Sequence, residues 1–133
     1  MKRVTGIGGV FFKCEDPEKM RKWYKDHLGL NTDQYGTVFQ SEKGKNSFTT
    51  WSPFSNDTNY FEPSKQPFMI NFTVDNLPEL ISVFRSEGVE VIGEIQEFDY
   101  GKFAHIMDPE GNKIELWEPH EKEFEKMATA VTK

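Results

Sequence analysis

Ser47-Phe48-Thr49-Thr50-Trp51-Ser52-Pro53 and Lys113-Ile114-Glu115-Leu116-Trp117-Glu118-Pro119 answer each other across the chain. Each follows a glycine-centred turn, at Gly44 or Gly111, and each ends in Trp-x-Pro. Upstream of both stands the same order: apolar strand, acidic turn, amphipathic helix, glycine stop. In the first copy Gly8-Gly9-Val10-Phe11-Phe12-Lys13-Cys14 is short, apolar and partly alternating, which predicts a strand. Asp16 then caps a helix with Pro17 at its first position, where the missing N–H is not needed. Met20, Trp23, Tyr24 and Leu28 fall on one helical face, and Gly29 supplies the stop. Short strands are predicted around Thr37–Gln40 and Ser47–Trp51, hinged at Glu42-Lys43-Gly44-Lys45.

The second copy repeats the order. Phe68–Val74 is the strand, Asp75-Asn76 the cap, and Leu80, Ile81, Phe84 and Leu77 the apolar helical face before Gly88. Val89–Ile92 opens the next strand, and Phe103–Met107 and Lys113–Trp117 form a hairpin around Asp108-Pro109-Glu110-Gly111-Asn112. The reading is α+β, with two tandem βαβββ units in one domain of 133 residues. Unit one covers 4–53, a linker or lid 54–67, unit two 68–119 and a charged tail 120–133. The linker carries Phe54, Tyr60 and Phe61, more aromatics than a plain connection uses, so it is expected to pack over something. Phe124 and Met127 in the tail suit a short terminal helix or a frayed end.

Composition narrows the classes. Twelve Phe, four Tyr and three Trp beside only 36% hydrophobic residues serve core packing or line a concave site. Sixteen basic against twenty-two acidic residues give a net charge of −6, and no Lys/Arg cluster tracks one face, which argues against nucleic acid. The first nine residues lack the apolar core of a secretory signal, and no run approaches the ~20 apolar residues of a membrane span. A lone Cys14 cannot form an internal disulfide, which fits a reducing cytoplasm.

The tandem order, with Trp23-Tyr24-(x)3-Leu28-Gly29 and Asp108-Pro109-Glu110-Gly111-Asn112-Lys113-Ile114-Glu115-Leu116, resembles the vicinal oxygen chelate superfamily of glyoxalase I, bleomycin-resistance proteins and extradiol dioxygenases. The resemblance implies an eight-stranded, cup-shaped mixed sheet with the site inside the cup. It does not fix the reaction, because the superfamily holds isomerases, dioxygenases, transferases and binding proteins. Metal-dependent members place a His, Gln or Glu in the first and last strand of each unit. Counting seven back from the helix caps gives Gly9 and Met69, and superposing Trp51 on Trp117 gives Thr49 and Glu115. Of these only Glu115 is a family donor, so the expectation is no metal and no cofactor. If a divalent ion binds weakly, Glu115 and His105 are its ligands.

Residues 105 and 115 lie symmetrically about Glu110, so His105 and Glu115 are expected to oppose each other across the hairpin, facing the cup. The pair is either an ordinary cross-strand contact or a catalytic acid–imidazole pair. Alternation extends the lining to Phe11, Thr49 and Trp51 from unit one, and Met69, Asn71, Phe103 and Trp117 from unit two. No nucleophile elbow, P-loop or GxGxxG after a strand occurs, since Gly6–Gly9 precedes its strand. Two functions follow. One is a small-molecule-binding protein of the glyoxalase/bleomycin-resistance type without the metal. The other is a lyase or isomerase of α-hydroxycarbonyl-type substrates using His105 and Glu115. Phe54, Tyr60 and Phe61 in a polar loop also suggest a lid or a homodimer interface.

Overall fold

The chain runs β1 (Val4–Cys14), α1 (Pro17–Leu28), β2 (Thr37–Gln40), β3 (Phe48–Ser55), β4 (Phe68–Val74), α2 (Leu77–Ser86), β5 (Glu90–Phe98), β6 (Gly101–Met107), β7 (Lys113–Pro119), α3 (Glu121–Met127) and β8 (Val131–Thr132). The computed structural model describes residues 2–40, 48–128 and 130–132. The turn expected at Glu42–Lys45 lies outside the described residues. All eight strands form one mixed sheet in the order β5-β6-β7-β4-β1-β3-β2-β8. The fold is the α+β architecture of tandem units, with an open rather than closed sheet.

β1 and β4 pair antiparallel at the middle, with Gly9 opposite Asn71. On either side each takes a parallel partner: Gly9 pairs with Thr50 of β3, and Asn71 with Glu115 of β7. The two halves are thus related by an approximate twofold in which Gly9 matches Asn71 and Thr50 matches Glu115. The halves differ at their outer edges. In the second, β5 runs nine residues antiparallel to β6. In the first, the edge is held by the two-residue β8, parallel to β2. The tail is therefore a short helix followed by an edge strand.

The helices cover the outer face unequally. Asn76 caps α2 by accepting from Glu79 N at 3.2 Å. Leu77, Leu80 and Ile81 are buried against Val74, Ala104, Ile106 and Leu116. Each such side chain contributes about 1.5–3 kcal/mol on leaving water. Asp16 caps α1 by accepting from Lys19 N at 3.1 Å, yet α1 has no buried residue. Tyr24 packs on Trp51 at 4.4 Å, while Trp23 and Leu28 stay over half exposed. The four-residue β2 and two-residue β8 offer α1 a narrower surface than β5 and β6 offer α2.

The turn between β6 and β7 is set by Asp108. Its Oδ1 accepts from Glu110 N at 2.9 Å and Asn112 N at 2.8 Å, and Asn112 Nδ2 donates to Oδ2 at 2.8 Å. The Asn112 bonds, first from its side chain and then its backbone, hold the Asp108 carboxyl below its ordinary pKa. Gly111 takes φ +83°, which L side chains rarely adopt. This turn fixes the register that places His105 opposite Glu115.

Candidate functional site

The centre of the cup is the Glu115 carboxylate, 2% exposed. Its strand neighbours on both sides reach it. Asn71 Nδ2, from β4, donates to Oε1 at 2.7 Å, and His105 Nε2, from β6, lies 2.8 Å from Oε2. A third bond comes from the loop after β3, where the Tyr60 hydroxyl donates to Oε2. A buried carboxylate is tolerable only when donors replace its water, and these bonds are the charge-assisted kind. Burial, then the Glu115 charge and hydrogen bond, push the Tyr60 phenol well above its ordinary pKa. Burial and the same carboxylate raise Tyr100. Burial lowers Lys113, with Glu115 opposing.

The loop is tied down over the cup. Lys13 N donates to Pro67 O at 2.7 Å and Asn56 N to Cys14 O at 2.9 Å, anchoring both ends beside β1. Phe61 is fully buried against Phe11 and Met69, with Phe54 alongside. Lys113 Nζ, two residues before Glu115, donates to Tyr60 O at 2.7 Å and lies 5.4 Å from the centre of its ring. Tyr60 keeps 36% of its surface exposed while its hydroxyl reaches inward to Glu115.

Above this floor lies a cavity of about 470 Å³. One wall carries the stacked pair Phe103–Trp117, centroids 5.8 Å apart and planes 6° off parallel. Another carries Phe54–Tyr60, at 5.9 Å and 5°. No lysine or arginine lines it among the described residues, and Glu115 is its one carboxylate.

The structure brings Phe11, Asn71, Phe103, Glu115 and Trp117 together on this lining. His105 stands behind, holding Glu115 from the β6 side and meeting the Tyr60 ring edge-on at 5.5 Å. Met69 shares the inner face but lies under Phe61. Thr49 and Trp51 are not on the lining, and the expectation for them is corrected. Thr49 Oγ1 donates to Ile7 O at 2.8 Å, and Trp51 packs outward on Phe12 and Tyr24. From β3 the lining instead takes Thr50, Ser52 and Phe54. Matching Trp51 to Trp117 slips the strand by one residue, and a one-residue slip exchanges its faces. Tyr60, Tyr100 and Thr50 were missed. Counting alternation back from Phe54 rather than Trp51 finds Thr50, whereas nothing local to Tyr60 announces its bond to a residue 55 positions away.

Strand pairing puts Gly9, Thr50, Asn71 and Glu115 where the resemblance expects metal donors, moving two of the four positions from Thr49 and Met69. These residues do not fit a divalent ion. A Cβ on Gly9 would collide with Thr50 Oγ1 and the Phe11 ring, so that corner is filled. Thr50 Oγ1 donates to Gly8 O at 3.1 Å and both Glu115 oxygens are engaged, so the buried Asn71 Oδ1, unpartnered among the described residues, is left as a single donor, too few for a divalent ion. Among the described residues no group of three His, Cys, Asp or Glu converges.

Residues 6–116 match the model of the Glyoxalase/Bleomycin resistance protein/Dioxygenase superfamily. No curated protein sequence matches the chain. A methylmalonyl-CoA epimerase from Mycobacterium tuberculosis superposes with TM-score 0.64 at 21% identity, over 92% of this chain and 93% of that one. A methylmalonyl-CoA epimerase in complex with methylmalonyl-CoA and NH4+ gives 0.67 at 14%, over 88% and 96%. A protein described as NAD-dependent benzaldehyde dehydrogenase from Legionella pneumophila gives 0.57 at 16%, over 84% and 97%. At these identities the likeness is one of fold.

Proposed function

Since the chain belongs to the Glyoxalase/Bleomycin resistance protein/Dioxygenase superfamily, we propose that it is a small-molecule-binding protein holding a flat, partly aromatic ligand in its cup without a metal. The observation that carries this reading is the state of Glu115. Three of a carboxylate's roughly four lone-pair sites are taken by Asn71, His105 and Tyr60. A group already holding three donors keeps one lone-pair site for a further N–H or O–H. The stacked pairs on the two walls favour planar ligands. A phosphate or carboxylate finds no countercharge on the lining, so the ligand is neutral or cationic. The test uses 2-(methylamino)naphthalene, which is flat, neutral and carries one N–H, followed by quenching of tryptophan fluorescence. Glu115→Gln is expected to weaken binding about tenfold or more, the scale of a hydrogen bond to a charged group. Equal affinity in both proteins would sink the reading.

The second reading is a lyase or isomerase of α-hydroxycarbonyl-type compounds, favoured by the hydrogen-bonded run Tyr60, Glu115 and His105. Deuterium entering the α-carbon of glycolaldehyde in D2O, and lost with Glu115→Gln, is its signature. The free thiol of Cys14 supports a cytoplasmic setting, and no helix among the described residues is long and apolar enough to cross a membrane. A homodimer is part of the proposal. With Phe61 buried in the cup, its support moves to the outer face, where Val4, Ile7, Val10 and Phe68 stand exposed on β1 and β4.

A further inference from the structure

The cup has a neighbour. A second cavity of about 350 Å³ lies between β2, residues 33–36 and the side of Met127, Ala128 and Ala130. It shares Tyr35, Thr50, Ser52, Tyr100 and Phe124 with the cup, so the two spaces meet along one common wall. Its origin is the asymmetry of the halves. Where the second half has the nine-residue β5, the first has only the two-residue β8, held by Val38 N to Ala130 O at 2.9 Å and Thr37 Oγ1 to Thr132 Oγ1 at 2.6 Å. A short edge strand fills the edge of the sheet and leaves a space inside it.

Beyond the common wall Val38, Met127, Ala128 and Ala130 give that space a surface suited to hydrocarbon, and Asp33, Gly36 and Thr37 complete its lining. Phe124 belongs to α3 rather than to the sheet, and its ring is held edge-on by Phe48 and Trp117, both at 4.8 Å. Like Tyr35 and Tyr100 it stands on the common wall outside the strands, so its ring can be removed without disturbing a strand.

We propose that the second cavity is the far compartment of the same ligand site, taking an aliphatic chain carried by the aromatic head in the cup, with Phe124 governing how long that chain can be. This rests on the ligand reading above, and the test separates the two. The probes are 2-(alkylamino)naphthalenes with methyl, butyl and hexyl chains, all flat, neutral and bearing one N–H. Affinity is expected to rise with chain length, up to about fourfold per methylene buried. Phe124→Ala is expected to raise the hexyl-to-methyl affinity ratio by opening the common wall. Val38→Trp, which fills the far compartment, is expected to bring that ratio close to one. Met127→Trp does the same from the opposite wall if Val38→Trp fails to fold. Binding of all three probes with equal affinity leaves the cup reading standing and overturns the far compartment. A ratio that survives both tryptophan variants also overturns it. No binding by any probe overturns both readings.

Discussion

Glu115 is held where a lone carboxylate could not stay. Burial of the charge is offset by Asn71, His105 and Tyr60, and each bond is worth more for being to an anion in a site away from water. Tyr60→Phe removes one donor while keeping the ring on Phe54, and is expected to cost about 1.5–3 kcal/mol in urea unfolding near neutral pH. The pH dependence has a definite sign. The folded state holds the Tyr60 proton more tightly than the unfolded chain does. Its stabilisation is therefore complete below the ordinary phenol pKa of about 10 and fades as the pH climbs beyond it. In a spectrophotometric alkaline titration, Tyr60→Phe should delete a phenol that ionises above the ordinary value. Loss of a phenol that ionises near 10 would mean the bond to Glu115 is absent in solution.

Elements differ in how far their sequences announce them. The helices are legible because their signals are local: Asp16 and Asn76 cap, Pro17 fits the first turn, and Leu77, Leu80 and Ile81 share a face. The β6–β7 hairpin is legible for the same reason, since the Asp108–Asn112 turn contains its own hydrogen bonds, and symmetric counting from Glu110 lands on the residues the pairing opposes. β3 is legible as a strand but not in its face, because Trp51 and Trp117 look alike and yet serve opposite sides of the sheet. The lid is the least legible of all, its duty lying in contacts to Phe11, Met69, Lys113 and Glu115 that are distant in sequence. Phe61 is expected to be part of the cooperative fold. Phe61→Ala should cost about 3–5 kcal/mol, as for other buried aromatics. A loss under about 1 kcal/mol, with faster amide exchange confined to 56–66, would show the lid opening as a separate unit.

At the scale of the molecule, the approximate twofold passes through the Gly9–Asn71 pair, and each half carries one helix on its outer face. α2 covers its half; α1, with no buried residue, does not cover its own. Between them the outer face of β1 and β4 keeps Ile7 51%, Val4 42%, Phe68 39% and Val10 38% exposed, a stripe of large apolar side chains where the sheet is most continuous. Water in contact with such a stripe is a standing cost that a second copy would remove, and an interface on a twofold brings like residues together. The expected outcome is a dimer at tens of micromolar in sedimentation equilibrium. Val10→Asp places a charge in the middle of the stripe, opposite Ile70, and should give a monomer whose circular dichroism is unchanged. Ligand binding in the cup should survive in that monomer, because the stripe and the cavity lie on opposite faces of the same strands. A wild-type monomer at those concentrations would mean the stripe is simply exposed. A Val10→Asp protein that still dimerises would move the interface to the open face of α1, where Trp23 and Leu28 stand more than half exposed.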